Sequence, residues 1–261
     1  MIGAIAGDII GSIYEVHNTN RVDFPLFDPR CRFTDDTVLT IAVADAILTG
    51  SSYSDKLKEY FRYYPNAGYG PSFRRWAVFG SITPYYGQGS GSAMRVSPVG
   101  FAFDTLEQVI EQAKKSAEVT HNHPEGIKGA QAVAAAVFLA RTGKSKREIK
   151  GFIERVFGYD FREPVGEGWD TCPGMFVKGI RKYYRVVPQA ITAFLESNDF
   201  EDAIRKAISI GGDSDTIACM AGGIAEAFYK GVPKEIEDRV RFILDQRLNG
   251  VVTEFTSKYC L

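Results

Sequence analysis

The sequence has only four cysteines, Cys31, Cys172, Cys219 and Cys260, and no two of them form a CxxC pair. This spacing argues against a thiolate zinc site and gives no sign of a disulfide framework, so the thiols are expected to be reduced and the protein cytoplasmic. An excess of one charge is also lacking, with 31 Lys plus Arg against 32 Asp plus Glu and a net charge of -1. No global field therefore draws the protein to nucleic acid or to an anionic membrane, and recognition of a charged ligand has to be local. No stretch approaches the roughly 18 to 20 apolar residues of a membrane span. The apolar start MIGAIAGDIIGSIYE has no basic leader and is interrupted by Asp8 and Glu15, so it is read as part of the fold.

What is present is an ordinary globular composition, 45% apolar over 261 residues, enough for a substantial core. Strict strand alternation is almost missing, whereas helical periodicity with small residues recurs, and an all-α, compact, single-domain helical bundle is expected over residues 1–261. Gly3, Gly7 and Gly11 fall four apart within a helix expected over residues 2–14, leaving one face free of side chains for a close neighbour. Further helices are expected over 37–48, over 54–77 with a break near Pro65 to Pro71, and over 106–120, 125–142 and 146–157. Four more are expected over 188–197, 200–210, 216–229 and 234–248. Residues 80–98, rich in Gly, Ser and Pro, read as a loop ending in a short helix. Residues 159–187 give no clear pattern, and no repeat or linker marks a domain boundary.

Two acidic clusters each stand before an apolar helix: Thr34-Asp35-Asp36-Thr37, and Gly211-Gly212-Asp213-Ser214-Asp215-Thr216. Helix capping explains one oxygen acceptor at such a place. Each cluster supplies several carboxylate and hydroxyl oxygens within one turn, the hard ligand set that Mg²⁺ or Mn²⁺ takes. If the helix ends converge, Thr34, Asp35, Asp36, Asp213, Asp215 and Thr216, with Glu15 at the end of the first helix, offer enough oxygens for two ions. Glycines 211 and 212 allow the sharp turn that this requires.

The motifs GAIAGDIIGSIYE, FTDDT, GSAMRVSPVG, THNHPEGIKGAQA and SIGGDSDTIACMAGGIAEA follow in this order along nearly the whole chain. Together they resemble the ADP-ribosylglycohydrolase family. The resemblance implies a compact all-α fold with a dinuclear Mg²⁺ or Mn²⁺ centre. In it Thr34, Asp35 and Asp36 serve one ion, Asp213 and Thr216 the other, and Asp215 bridges, with Glu15 beside the metals on a mobile segment. The implied partner is the ADP-ribose moiety of a modified protein or small conjugate.

The stretch Gly87-Gln88-Gly89-Ser90-Gly91-Ser92-Ala93-Met94-Arg95 exposes backbone amides able to cradle a phosphate, although such a loop also serves as a plain connector. The resemblance makes Gly89, Ser90, Gly91, Ser92 and Met94 the expected diphosphate contacts, with Ser90 standing where relatives carry Asn. It also places His121 of THNHPEG along the cleft; the two histidines His121 and His123 have no Cys or His partners for zinc. Between Asp170 and Val187 this chain interposes GMFVKGIRKYYRV. The insertion is either a surface elaboration or a source of rings, Phe176, Tyr183 or Tyr184, that stack on adenine or meet the modified partner.

Cleavage at a ribosyl C1 passes through an oxocarbenium-like state, which requires a positioned ribose and an activated water. The expected reaction is metal-dependent hydrolysis of the ribosyl C1 bond, with Asp36 or Glu15 accepting the proton of water and Asp35 beside them. Two alternatives are a dinuclear hydrolase acting on a phosphoester and a noncatalytic ADP-ribose-binding or structural protein on the same scaffold. The leaving group is open among arginine, serine and an acetyl ester.

Overall fold

Apolar residues at helical spacing, punctuated by Ser, Thr, Asp and Gly, produce a chain built from helices. The computed structural model describes residues 1–161 and 185–260. Among the described residues there are thirteen α-helices and no strand. In order they are α1 (Ile2–Gly11), α2 (Asp35–Thr49), α3 (Tyr53–Tyr63), α4 (Pro71–Val78), α5 (Ser97–Ala102), α6 (Leu106–Glu118) and α7 (Pro124–Arg141). They are followed by α8 (Lys146–Phe157), α9 (Val186–Glu196), α10 (Phe200–Ser209), α11 (Ser214–Tyr229), α12 (Lys234–Ile243) and α13 (Gln246–Tyr259). None of them is long and apolar enough to cross a membrane. Cys31, Cys219 and Cys260 form no disulfide. The expectations for Asp170, Cys172, Phe176, Tyr183 and Tyr184 lie outside the described residues.

The element at the centre of the molecule is α1, every residue of which is buried. Its glycines lie against α11. A Cβ at Gly7 would overlap the Ala218 carbonyl, and one at Gly11 would stand 2.5 Å from the Asp215 Cα, so the two backbones touch where side chains would otherwise separate them. Helix α11 is buried from Ser214 to Ala227, and α7, α9 and α10 pack on it as well. Helices α3 and α13 cover α2, and α6 covers α7. Local signals set the boundaries. Thr105 and Ser145 form capping boxes with Gln108 and Glu148, and Gly50 and Gly158 close α2 and α8 in the left-handed conformation.

Three boundaries differ from the sequence reading. The first helix ends at Gly11, so Glu15 lies in the turn beyond it and is exposed. The second begins at Asp35, because Thr34 is the N-cap and the two aspartates form its first turn. The single helix expected over 234–248 is two, since Leu244 is extended and Asp245 accepts a hydrogen bond from Leu248 N to start α13.

Candidate functional site

The close contact of α1 with α11 brings the start of α2 to the start of α11. Thr34 meets the capping requirement of α2 with its hydroxyl, which accepts from Asp36 N at 3.3 Å. The carboxylates of the cluster are therefore surplus to the cap. At α11 the N-cap residue is Asp213, and its side chain does not cap the helix. Gly211 and Gly212, with φ of 76° and 77°, make the turn that delivers Asp213 and Asp215 to the same place.

Carboxylate oxygens of Asp8, Asp36 and Asp215 all lie within 4.8 Å of one another, and so do those of Glu15, Asp213 and Asp215. Asp215 belongs to both groups. Thr216 Oγ1 donates to Asp36 Oδ2 at 3.2 Å, which ties the two clusters together directly. The other oxygen of Asp36, Oδ1, is buried with no hydrogen-bond partner. A buried carboxylate oxygen left bare costs free energy unless a cation or donor reaches it.

The electrostatics point the same way. Burial, and then the charges of Asp8, Asp213 and Glu15, push Asp35 up to about 7 and Asp215 up to about 9. Burial and the neighbouring Asp215, Asp8, Asp35 and Asp213 push Asp36 well above the ordinary carboxylate range. The charged groups that act on these three are other carboxylates. Such crowding of like charges is relieved by a bound divalent ion, and the donors are all hard oxygens. The residues present therefore fit a metal.

Asp8 and Asn18 were not singled out from the sequence. Asp8 is fully buried and accepts from Thr34 N at 2.9 Å, Thr34 Oγ1 at 2.6 Å and Thr37 N at 3.1 Å. Its oxygens are thus engaged in holding the start of α2, which makes it a buttress of the cluster rather than a spare ligand. Its one sequence signal is that it is the sole charged residue in an otherwise apolar, glycine-rich helix. Asn18 accepts from Gly212 N at 2.6 Å and donates to the Gly212 carbonyl at 3.3 Å, joining the turn that carries Glu15 to the turn before Asp213.

The two acidic runs line one end of a cavity of about 1040 Å³. Glu15, Thr34, Asp35, Asp36, Asp213, Asp215 and Thr216 stand at that end; Gln88, Gly89, Ser90, Gly91, Met94, Arg95 and His121 line the same cavity. Residues 90–92 form one turn of 3₁₀ helix. Ser92, expected as a diphosphate contact, does not line the cavity, because its hydroxyl donates to the Gly126 carbonyl of α7 at 2.9 Å. His121 is 7% exposed, whereas His123 caps α7, its Nδ1 accepting from Glu125 N at 3.1 Å. Tyr63, Tyr64, Tyr85 and Tyr86 add ring surface to the cavity wall.

An all-α scaffold whose central helix pair joins two acidic helix starts on the wall of one cavity has the donor set that could hold a metal ion through oxygen ligands. Residues 1–259 match the model of the ADP-ribosylglycohydrolase family, and the chain belongs to that family. ADP-ribosylhydrolase ARH3 of Mus musculus is 28% identical over 309 aligned positions, covering 88% of this chain and 82% of that protein. An ADP-ribosylarginine hydrolase of Pseudomonas putida is 24% identical, covering 92% and 72%. A solved ADP-ribosylglycohydrolase-related protein complex superposes with a TM-score of 0.71 at 24% identity, over 98% of this chain and 96% of that one, and shares the fold.

Proposed function

We propose that this protein hydrolyses the ribosyl C1 bond of ADP-ribosylated side chains or small ADP-ribose conjugates, at a centre that holds two Mg²⁺ or Mn²⁺ ions. The observation that carries the reading is the convergence of two carboxylate groups that share Asp215, one of which includes Asp36, whose Oδ1 has no hydrogen-bond partner. Thr34, Asp35 and Asp36 would hold one ion, Asp213 and Thr216 the other, and Asp215 both. When bound, the ions supply Lewis acidity that fixes the ribose hydroxyls and makes water more acidic.

The chain's own residues divide the remaining tasks. Asp36 is 3% exposed and enclosed by other carboxylates, so it suits ion retention. Glu15 is exposed in its turn and lines the cavity, so water reaches it; it is the better acceptor for the proton of the attacking water. Asn18 keeps that turn against Gly212. Gly89, Ser90, Gly91 and Met94 line the cavity on the stretch suited to a diphosphate, and His121 stands behind them. The cavity volume accommodates a ligand of the size of ADP-ribose.

The test is to incubate the protein with ADP-ribosyl-arginine, ADP-ribosyl-serine and a generic phosphoester in Mg²⁺ or Mn²⁺, and to measure released ADP-ribose and phosphate. Release of ADP-ribose from at least one conjugate is expected, with loss of activity in Asp36→Asn. Cleavage of the phosphoester alone, or of none of the three with ADP-ribose still bound, would replace this reading by one of its two alternatives.

A further inference from the structure

Among the described residues Arg95 is the largest side chain with no exposure at all, and it lies next to the cavity without an acidic partner among them. Nη2 donates to the Ser116 carbonyl at 2.9 Å and to Thr120 Oγ1 at 2.8 Å, while Nε and Nη1 are buried without partners. A guanidinium can only donate, and enclosing one without a carboxylate is costly. The bond to Ser116 alone would make Arg95 a clamp on the end of α6. It does not explain the second branch, which leads to the cleft.

Thr120 Oγ1 stands 2.8 Å from His121 Nδ1. A threonine hydroxyl has two lone pairs and one hydrogen. Arg95 can only donate and takes one lone pair, so the hydrogen is free for His121 Nδ1, which is able to accept it. The imidazole then carries its own hydrogen on Nε2. That edge of the ring faces the loop: a Cβ at Gly91 would be 3.0 Å from His121 Nε2, and one at Gly87 would be 2.6 Å from Cδ2. The Tyr85 ring meets the imidazole edge to face at 5.3 Å, so the ring has little freedom to turn over.

We infer that Arg95 and Thr120 form a relay that fixes His121 in the Nε2–H tautomer and aims that donor at the anion cradled by residues 89–91. The inference rests on the proposed function for the identity of that anion, the diphosphate of ADP-ribose. It makes Arg95 and Thr120 positioning residues. Burial first, and then the Arg95 charge, push His121 down to about 3, so the ring stays a neutral donor across the working range of pH. The fixed charge of Arg95 behind the loop also favours a ligand that brings its own negative charge.

Thr120→Val keeps the shape of the buried side chain and removes the hydroxyl; Thr120→Ser restores it. Two-bond ¹H–¹⁵N correlations of the full-length protein, assigned against His121→Gln, report the His121 tautomer without any ligand. Calorimetric titration with ADP-ribose reports affinity. The wild-type protein and Thr120→Ser are expected to show the Nε2–H pattern and affinities within about threefold, while Thr120→Val shows mixed tautomers and binds at least about 10-fold more weakly. Arg95→Met should repeat the Thr120→Val result if it folds. An unchanged tautomer in Thr120→Val overturns the relay, and so does a changed tautomer with undiminished affinity. A wild-type protein that does not bind ADP-ribose overturns the proposed function instead, and the tautomer then decides the relay alone.

Discussion

Asp8 and Asp36 are both buried aspartates on the same side of the centre, and their hydrogen bonds give them different tasks. Asp8 has three donors from Thr34 and Thr37, whereas one oxygen of Asp36 has none. Asp8→Asn replaces one acceptor oxygen by a donor facing the amides of α2, so Thr34 and the first turn lose their anchor. Outer partners of metal ligands commonly contribute a factor of about 10 to 100 in affinity, and a loss of that size is expected for Mn²⁺ by calorimetry. Wild-type affinity in Asp8→Asn would show that the buttress is dispensable.

The same crowding makes the ion-free protein sensitive to pH. Burial and like charges hold Asp35 near 7 and Asp215 near 9, above the roughly 4 of an unfolded aspartate. Between those values the folded chain keeps protons that the unfolded chain has released, so stability is highest at low pH on this account and falls as pH rises from about 4 through 7 to 9. Thermal unfolding in chelator at pH 5, 7 and 9 should show a declining Tm from these groups, and saturating Mn²⁺ should flatten the decline. A Tm that rises over this range in chelator and is unmoved by Mn²⁺ would contradict the assignment.

At the level of elements, the pair α1 and α11 carries the architecture. Gly3, Gly7 and Gly11 were legible as a bare helical face because their spacing is independent of tertiary context. The partner of that face was not legible, since a single sequence carries no register between helices. Likewise the periodicity across residues 234–248 runs on through Leu244 and Asp245, and only packing and the Asp245 cap break it into α12 and α13. Two alanine substitutions separate close packing from helix propensity. Gly7→Ala forces a Cβ into the Ala218 carbonyl and should destabilise the fold by about 1 to 3 kcal/mol or more. Gly151→Ala lies inside α8 with no atom within 4 Å of the new Cβ and should stabilise by about 0.5 to 1 kcal/mol. Thermal unfolding checks both; equal effects of the same sign would remove the close-approach explanation.

For the whole molecule, the convergence of acidic groups at one end of the cleft was expected from two short runs of carboxylates, each within one helical turn. The groups that support the site come singly and from elsewhere: Asp8 from the middle of α1, Asn18 from a turn, and Arg95, behind His121, from the stretch before α5. Each looks ordinary until the fold brings it to the site. The loop at residues 89–91 was legible as an amide-rich stretch, but the direction of the Ser92 hydroxyl, into α7 and not the cavity, depends on packing alone. The central claim is that the two acidic runs, 180 residues apart at Asp36 and Thr216, form one centre for two ions. Electron paramagnetic resonance of the purified protein titrated with Mn²⁺ tests it most directly. The account predicts two ions per chain with a spin-coupled signal that Asp215→Asn abolishes; a single uncoupled ion, or a coupled pair that survives Asp215→Asn, would contradict it.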